Sequence, residues 1–97
     1  MKIIYTPEAI SDLQRLRNFI EQNNPIAAQA VAKRLLTGIN NLKKFPRMGI
    51  EVTRAPDPDL IRDLILDNYT TRYLIDEKQS QIHILRVWHH KEDDGDL

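Results

Sequence analysis

The sequence predicts an α+β domain: a helical hairpin packed on one face of a small, mainly antiparallel sheet, in the order β-α-α-β-β-β. Three observations predict it. Two amphipathic segments follow one another with a break of two or three residues, which forces them back as an antiparallel pair. Three short runs rich in β-branched and aromatic residues come after them, separated by turn residues. The chain has 97 residues, 41% apolar and 29% charged, the size and balance of one ordinary globular domain.

Lys2 to Tyr5 is a short apolar run that can form a first strand. Thr6-Pro7-Glu8 then signals a helix start. Threonine can accept a bond from a free backbone N–H, proline tolerates the first helical position, and glutamate suits the positive end of the helix dipole. Ala9, Leu13, Leu16 and Ile20 recur at helical spacing, with Ile10 and Phe19 widening the stripe, and the helix should stop near Asn23. Asn24-Pro25 repeats the start signal. The second helix is predicted from Pro25 to about Lys44, marked by Ala27, Val31, Leu35, Ile39 and Leu42. Gly38 inside it costs roughly 1 kcal/mol relative to alanine, which predicts either tight packing or a bend.

Residues 46–59 hold Pro46, Pro56 and Pro58 and read as a loop, long for a compact domain and so a place to look for function. Strands are predicted at Leu60 to Leu66, Tyr69 to Ile75 and Gln81 to Trp88, the first two joined by the tight turn Asp67-Asn68. Simple alternation puts Ile82, Ile84, Arg86 and Trp88 on one face of the last strand and His83, Leu85, Val87 and His89 on the other. Apolar groups on both faces predict a central strand, beside which the first strand docks. Trp88, at the strand end, is expected to close the core.

Composition bounds the chemistry. The chain has no cysteine, which excludes disulfides and thiolate metal sites and fits a reducing, cytoplasmic setting. Its start does not read as a signal peptide, and no stretch is long enough to cross a membrane. The formal net charge is zero, but Glu92, Asp93, Asp94 and Asp96 crowd the end. The expected division is therefore a single domain over 1–91 and an acidic tail over 92–97. Lys33, Arg34, Lys43, Lys44, Arg47 and Arg54 form a basic stripe against Glu51 alone; an ordinary solvated helix face would give the same pattern.

No nucleophile motif, phosphate loop or metal box is present. His89 and His90 are adjacent and would point to opposite faces, so no metal and no cofactor is expected. What remains is a set of cations and imidazoles on the sheet. Metal-free RNA cleavage needs a base, a cation for the phosphorane and an acid for the leaving oxygen; Arg62, Arg72, Arg86, His89 and His90 could supply them. Spacing alone favours a plainer reading, in which Arg72 and Arg86 pair with Asp63, Asp67 or Asp76 as ordinary cross-strand ion pairs.

The element order, the N-terminal I-I-Y-T-P-E-A-I-S-D-L, the F-P-R-M-G after the second helix, and N-Y-T-T-R-Y-L-I-D followed by I-L-R-V-W-H-H-K-E-D together resemble the RelE/ParE superfamily of bacterial toxins over about residues 2–93, closest to the ParE, plasmid-stabilisation branch. The resemblance implies a toxin of a type II toxin–antitoxin system, acting on DNA gyrase without catalysis, or, in the RelE manner, cleaving mRNA on the ribosome. A non-toxic relic that only binds its antitoxin is a third possibility. Thr70 stands where the mRNA-cleaving branch tends to carry an arginine, and only Lys91 follows His90 before the acidic tail. The implied target surface is Arg72, Arg86, Trp88, His89, His90 and Lys91. The implied partner is a ParD-like antitoxin whose disordered C-terminal segment folds onto the toxin, and through which alone operator DNA is reached. Leu13, Leu16, Ile20, Lys33, Arg34, Lys43, Lys44 and Arg47 are its expected docking residues.

Overall fold

The computed structural model describes residues 1–92. The elements are β1 (Lys2–Tyr5), α1 (Pro7–Asn23), α2 (Pro25–Asn40), a 3₁₀ turn (Asn41–Lys43), β2 (Ile50–Glu51), β3 (Ile61–Leu66), β4 (Tyr69–Asp76) and β5 (Gln81–His89). Both helix starts form as their sequences dictate. The Ala9 N–H donates to the Thr6 hydroxyl and the Ala27 N–H to the Asn24 side-chain oxygen, both at 3.1 Å, with Pro7 and Pro25 at the first helical positions. Asn24 alone joins the helices: its own N–H donates to Ile20 O at 2.8 Å, so one residue closes α1 and opens α2. The predicted second helix to Lys44 is an α-helix to Asn40 whose last turn tightens into the 3₁₀ form, a common way of satisfying terminal carbonyls.

The five strands lie in the order β1-β5-β4-β3-β2, with β1 parallel to β5 and every other pair antiparallel. Both helices cover one face, α1 over β5 and α2 over β3. Leu16, Leu35, Ile39 and Leu42 from the helical layer meet Leu64, Tyr73, Ile75, Ile82, Ile84 and Val87 from the sheet, forming a single apolar core. Gly38 reflects tight packing: a Cβ there would lie 2.6 Å from the methyl carbons of Leu66.

The loop over 46–59 differs from expectation. It contains the two-residue edge strand β2, and it is pinned from beneath. The Tyr73 hydroxyl donates to Pro46 O at 2.7 Å and accepts from the Gly49 N–H at 2.9 Å. Arg62, 9% exposed, donates to the carbonyls of Asp59, Arg47 and Gly49 and to the Asp59 carboxylate. The length of this loop thus has a structural account.

The last strand corrects the predicted faces. Arg72 pairs with Arg86 but Tyr73 pairs with Ile84, so Leu85 is an extra residue that forms a β-bulge. Beyond it the alternation changes phase. Ile82, Ile84 and Val87 are all fully buried on the helix side, and His89 joins them across from Tyr69. Trp88 pairs with Thr70 on the opposite, helix-free face and does not close the core. His83 and His89 are therefore on different faces.

Candidate macromolecule-binding site

The helix-free face carries a compact row at its β4–β5 centre. Thr70 lies beside Trp88 and Arg72 beside Arg86 in register. The Arg72 guanidinium sits 5.2 Å from the Trp88 ring centroid, a cation–π arrangement that fixes both side chains. Asp63, across from Arg72 on β3, accepts its Nε at 2.8 Å and its Nη2 at 3.0 Å. This two-pronged bond, set against partial burial, raises the arginine pKa further. The cross-strand ion pair expected for Arg72 is thus formed. His90 follows the strand, its N–H donating to Asn68 O at 2.8 Å and its Nε2 lying 2.9 Å from the Thr70 hydroxyl.

Arg86 has its acid on a helix instead. Asp12 of α1 accepts Arg86 Nε at 2.8 Å and Nη2 at 3.1 Å, Arg15 Nη1 at 2.7 Å and the Val87 N–H at 2.9 Å. The local reason is a strand edge. β1 covers β5 only as far as Ile84, and the edge beyond needs other partners. The Thr6 hydroxyl lies against Ile84 O and Leu85 O, Asp12 takes the Val87 N–H, and Arg15 reaches Val87 O at 3.4 Å. Burial alone would raise the Asp12 pKa, but the bonds from Arg86, Val87 and Arg15 outweigh it and hold the carboxyl below its ordinary range. Arg15 continues to Glu92 at 2.9 Å, and Glu92 accepts the His89 N–H at 2.9 Å, which ties the end of the described chain to α1.

The structure therefore brings together Arg72, Arg86, Trp88 and His90, and separates Arg62 and His89 from them. Arg62 lies on the helix side beneath the loop, with its guanidinium bonded to backbone carbonyls. The His89 ring packs edge-on against Tyr69, centroids 4.9 Å apart. Tyr69, His89, Leu16, Phe19, Ile20 and Lys91 line an apolar groove of about 310 Å³. Among the described residues, no three His, Cys, Asp or Glu side chains converge as a metal site, and no helix is long and apolar enough to cross a membrane.

Of the expected docking residues, Leu13, Leu16 and Ile20 pack inward, Leu16 being 5% exposed while still lining that groove. The apolar side chains that the hairpin shows outward are Ile10, Phe19, Ile26 and Leu36. Their place on the outer flank of each stripe was the available signal. Lys33 and Arg34 border a shallow groove with Ile65 and Asp67, where Arg34 pairs with Asp67 at 3.2 Å. Arg47 pairs with Asp59 and Glu77, so it does not continue a bare basic stripe with the exposed Lys43 and Lys44. Of the acidic tail, Asp93, Asp94 and Asp96 lie outside the described residues. Asp12 was missed, although an aspartate between Ala9 and Leu16 on an apolar stripe marks a helical position that must find donors.

The model of the ParE toxin of type II toxin–antitoxin systems, parDE, matches residues 3–94. The toxin RelE2 of Caulobacter vibrioides is 32% identical over 89 residues, spanning 91% of this chain and 93% of that protein. The chromosomal ParDE system of P. aeruginosa superposes with a TM-score of 0.76 at 18% identity, over 92% of this chain and 95% of the other. The RelBE2 toxin–antitoxin complex of Mycobacterium tuberculosis gives 0.63 at 24% identity, over 91% and 95%. The five-stranded sheet under its helical hairpin and these likenesses agree, and the chain belongs to the ParE toxin family of type II toxin–antitoxin systems, within the RelE/ParE superfamily.

Proposed function

We propose that this protein is a cytoplasmic toxin that arrests growth by binding DNA gyrase through the helix-free face of its sheet, and that a cognate ParD-like antitoxin neutralises it. The observation that carries this reading is the row Trp88, Arg72 and Arg86, in which each guanidinium is held in a fixed fork by a carboxylate. A guanidinium already neutralised by an aspartate is a weak stabiliser of a phosphorane but a well-oriented contact for a macromolecule. The antitoxin segment would dock on the outward apolar side chains of the hairpin and in the groove beside Phe19, Tyr69 and Lys91. The test is inhibition of gyrase supercoiling by purified protein. Wild type should inhibit and Arg72→Ala should lose most of the effect; no inhibition at large molar excess would count against the proposal.

One observation favours ribosome-dependent mRNA cleavage as a second reading. The His90 imidazole bonds the Thr70 hydroxyl, and Thr70 shares its face of the sheet with Arg72, so an imidazole and a guanidinium serve the same side. Transcripts cut in wild-type cells and intact in cells expressing Arg86→Ala would favour that reading over gyrase.

A further inference from the structure

We propose that Asp12 is a positioning residue: from helix α1 it fixes the Arg86 guanidinium at the open edge of β5 beyond the end of β1, where a target can reach it. The inference rests on the reading of Arg86 as a target contact.

Three features carry it. The Asp12 side chain is 3% exposed and that of Arg86 is 37% exposed, so the acid is the anchored member and the arginine the presented one. The carboxylate is itself immobilised, because it takes the backbone N–H of Val87 and one arm of Arg15 besides both prongs from Arg86. The bulge at Leu85 turns the strand at the residue before Arg86, so the backbone does not by itself dictate where this side chain goes. A long side chain leaving an irregular strand has many rotamers of similar energy. A two-pronged carboxylate selects one of them and removes the entropy that a target would otherwise have to overcome.

The arrangement also sets a chemical requirement. Asparagine at position 12 keeps an oxygen for the Val87 N–H but loses the charge and the symmetric fork that arginine needs. A role limited to holding α1 on the sheet predicts lower stability for such a variant and unchanged potency per folded molecule. A positioning role predicts lost potency with the fold retained.

The experiment compares full-length wild type, Asp12→Asn, Arg86→Ala and the double variant in gyrase supercoiling and in ribosome-programmed mRNA cleavage, scaled to the folded fraction from circular dichroism. The Arg86 Nε–Hε resonance is followed by NMR in parallel. Asp12→Asn is expected to lose roughly 10- to 100-fold in whichever assay wild type is active, with the double variant no weaker than Arg86→Ala alone. Its Arg86 Hε should exchange faster with water. If Asp12→Asn does not fold, Arg86→Lys, which keeps the charge and removes the fork, should lose nearly as much as Arg86→Ala. Potency near wild type for Asp12→Asn or Arg86→Lys while Arg86→Ala is inactive overturns the inference, as does an unchanged Arg86 Hε. Full activity of Arg86→Ala, or an inactive wild type in both assays, overturns the target reading and the inference with it.

Discussion

Arg62 and Arg86 each hold an aspartate at 2.8 Å, but the two pairs are inverted. In the first, the arginine side chain is 11% exposed and Asp59 is 56% exposed; in the second, Arg86 is 37% exposed and Asp12 is 3% exposed. The buried member is the one the fold depends on. Arg62 gathers three carbonyls of residues 47–59 under the loop, and its exposed acid adds little to that work. Asp12 gathers one strand N–H and two guanidinium groups, and Arg86 is the more exposed member of its pair. Ion pairing alone therefore does not distinguish these two arginines; which member of each pair is buried does.

The comparison breaks most visibly at Arg62. Arg62→Ala leaves the Arg47 and Gly49 carbonyls without their donor and should cost about 2–4 kcal/mol in urea unfolding. A loss no larger than that of an exposed residue would remove the contrast with Arg86. A smaller effect should appear in acid. Both Asp12 and Asp59 have pKa values lowered in the folded state: Asp12 against the opposing effect of its burial, by Arg86, Val87 and Arg15; Asp59 by Arg47 and Arg62. A folded-state value below the unfolded one means that the contribution is complete above the ordinary carboxylate range and fades as pH falls through the folded value. Thermal unfolding followed downward from neutral pH should therefore be flat first and fall only in that acidic window, less steeply for Asp12→Asn. The smallest effect belongs to Arg47, paired with Asp59 and Glu77 at an exposed position. Arg47→Ala should leave the unfolding midpoint unchanged within error, as isolated surface pairs usually do.

Much of this molecule was legible in its residues. The caps Thr6 and Asn24, the first helical prolines and the Asp67 turn, where φ is +55°, are local chemistry that needs no tertiary context. The docking of β1 beside β5 followed from connectivity. The phase change at Leu85 was hidden because a bulged leucine looks like any other strand residue until its neighbour's register is known. That misplaced Trp88 and grouped His89 with His83. The engagement of Arg62 was hidden for a related reason: its partners are backbone carbonyls, which no sequence displays. The sequence grouped Arg62, Arg72 and Arg86 together, and only geometry separated Arg72 and Arg86 from Arg62.

The inserted Leu85 also bears on how this surface can vary. Because one surplus residue stands between Ile84 and Arg86, the two halves of the strand alternate in opposite phase: Ile82 and Ile84 face the helices before it, Val87 and His89 after it. Substitutions at Arg86 or Trp88 alter the outward side chains of the strand while Ile82 and Ile84 stay in place. Loss of a single codon at 85 would join Ile84 directly to Arg86 and restore plain alternation, removing the bulge while leaving Val87 inward and Arg86 and Trp88 outward.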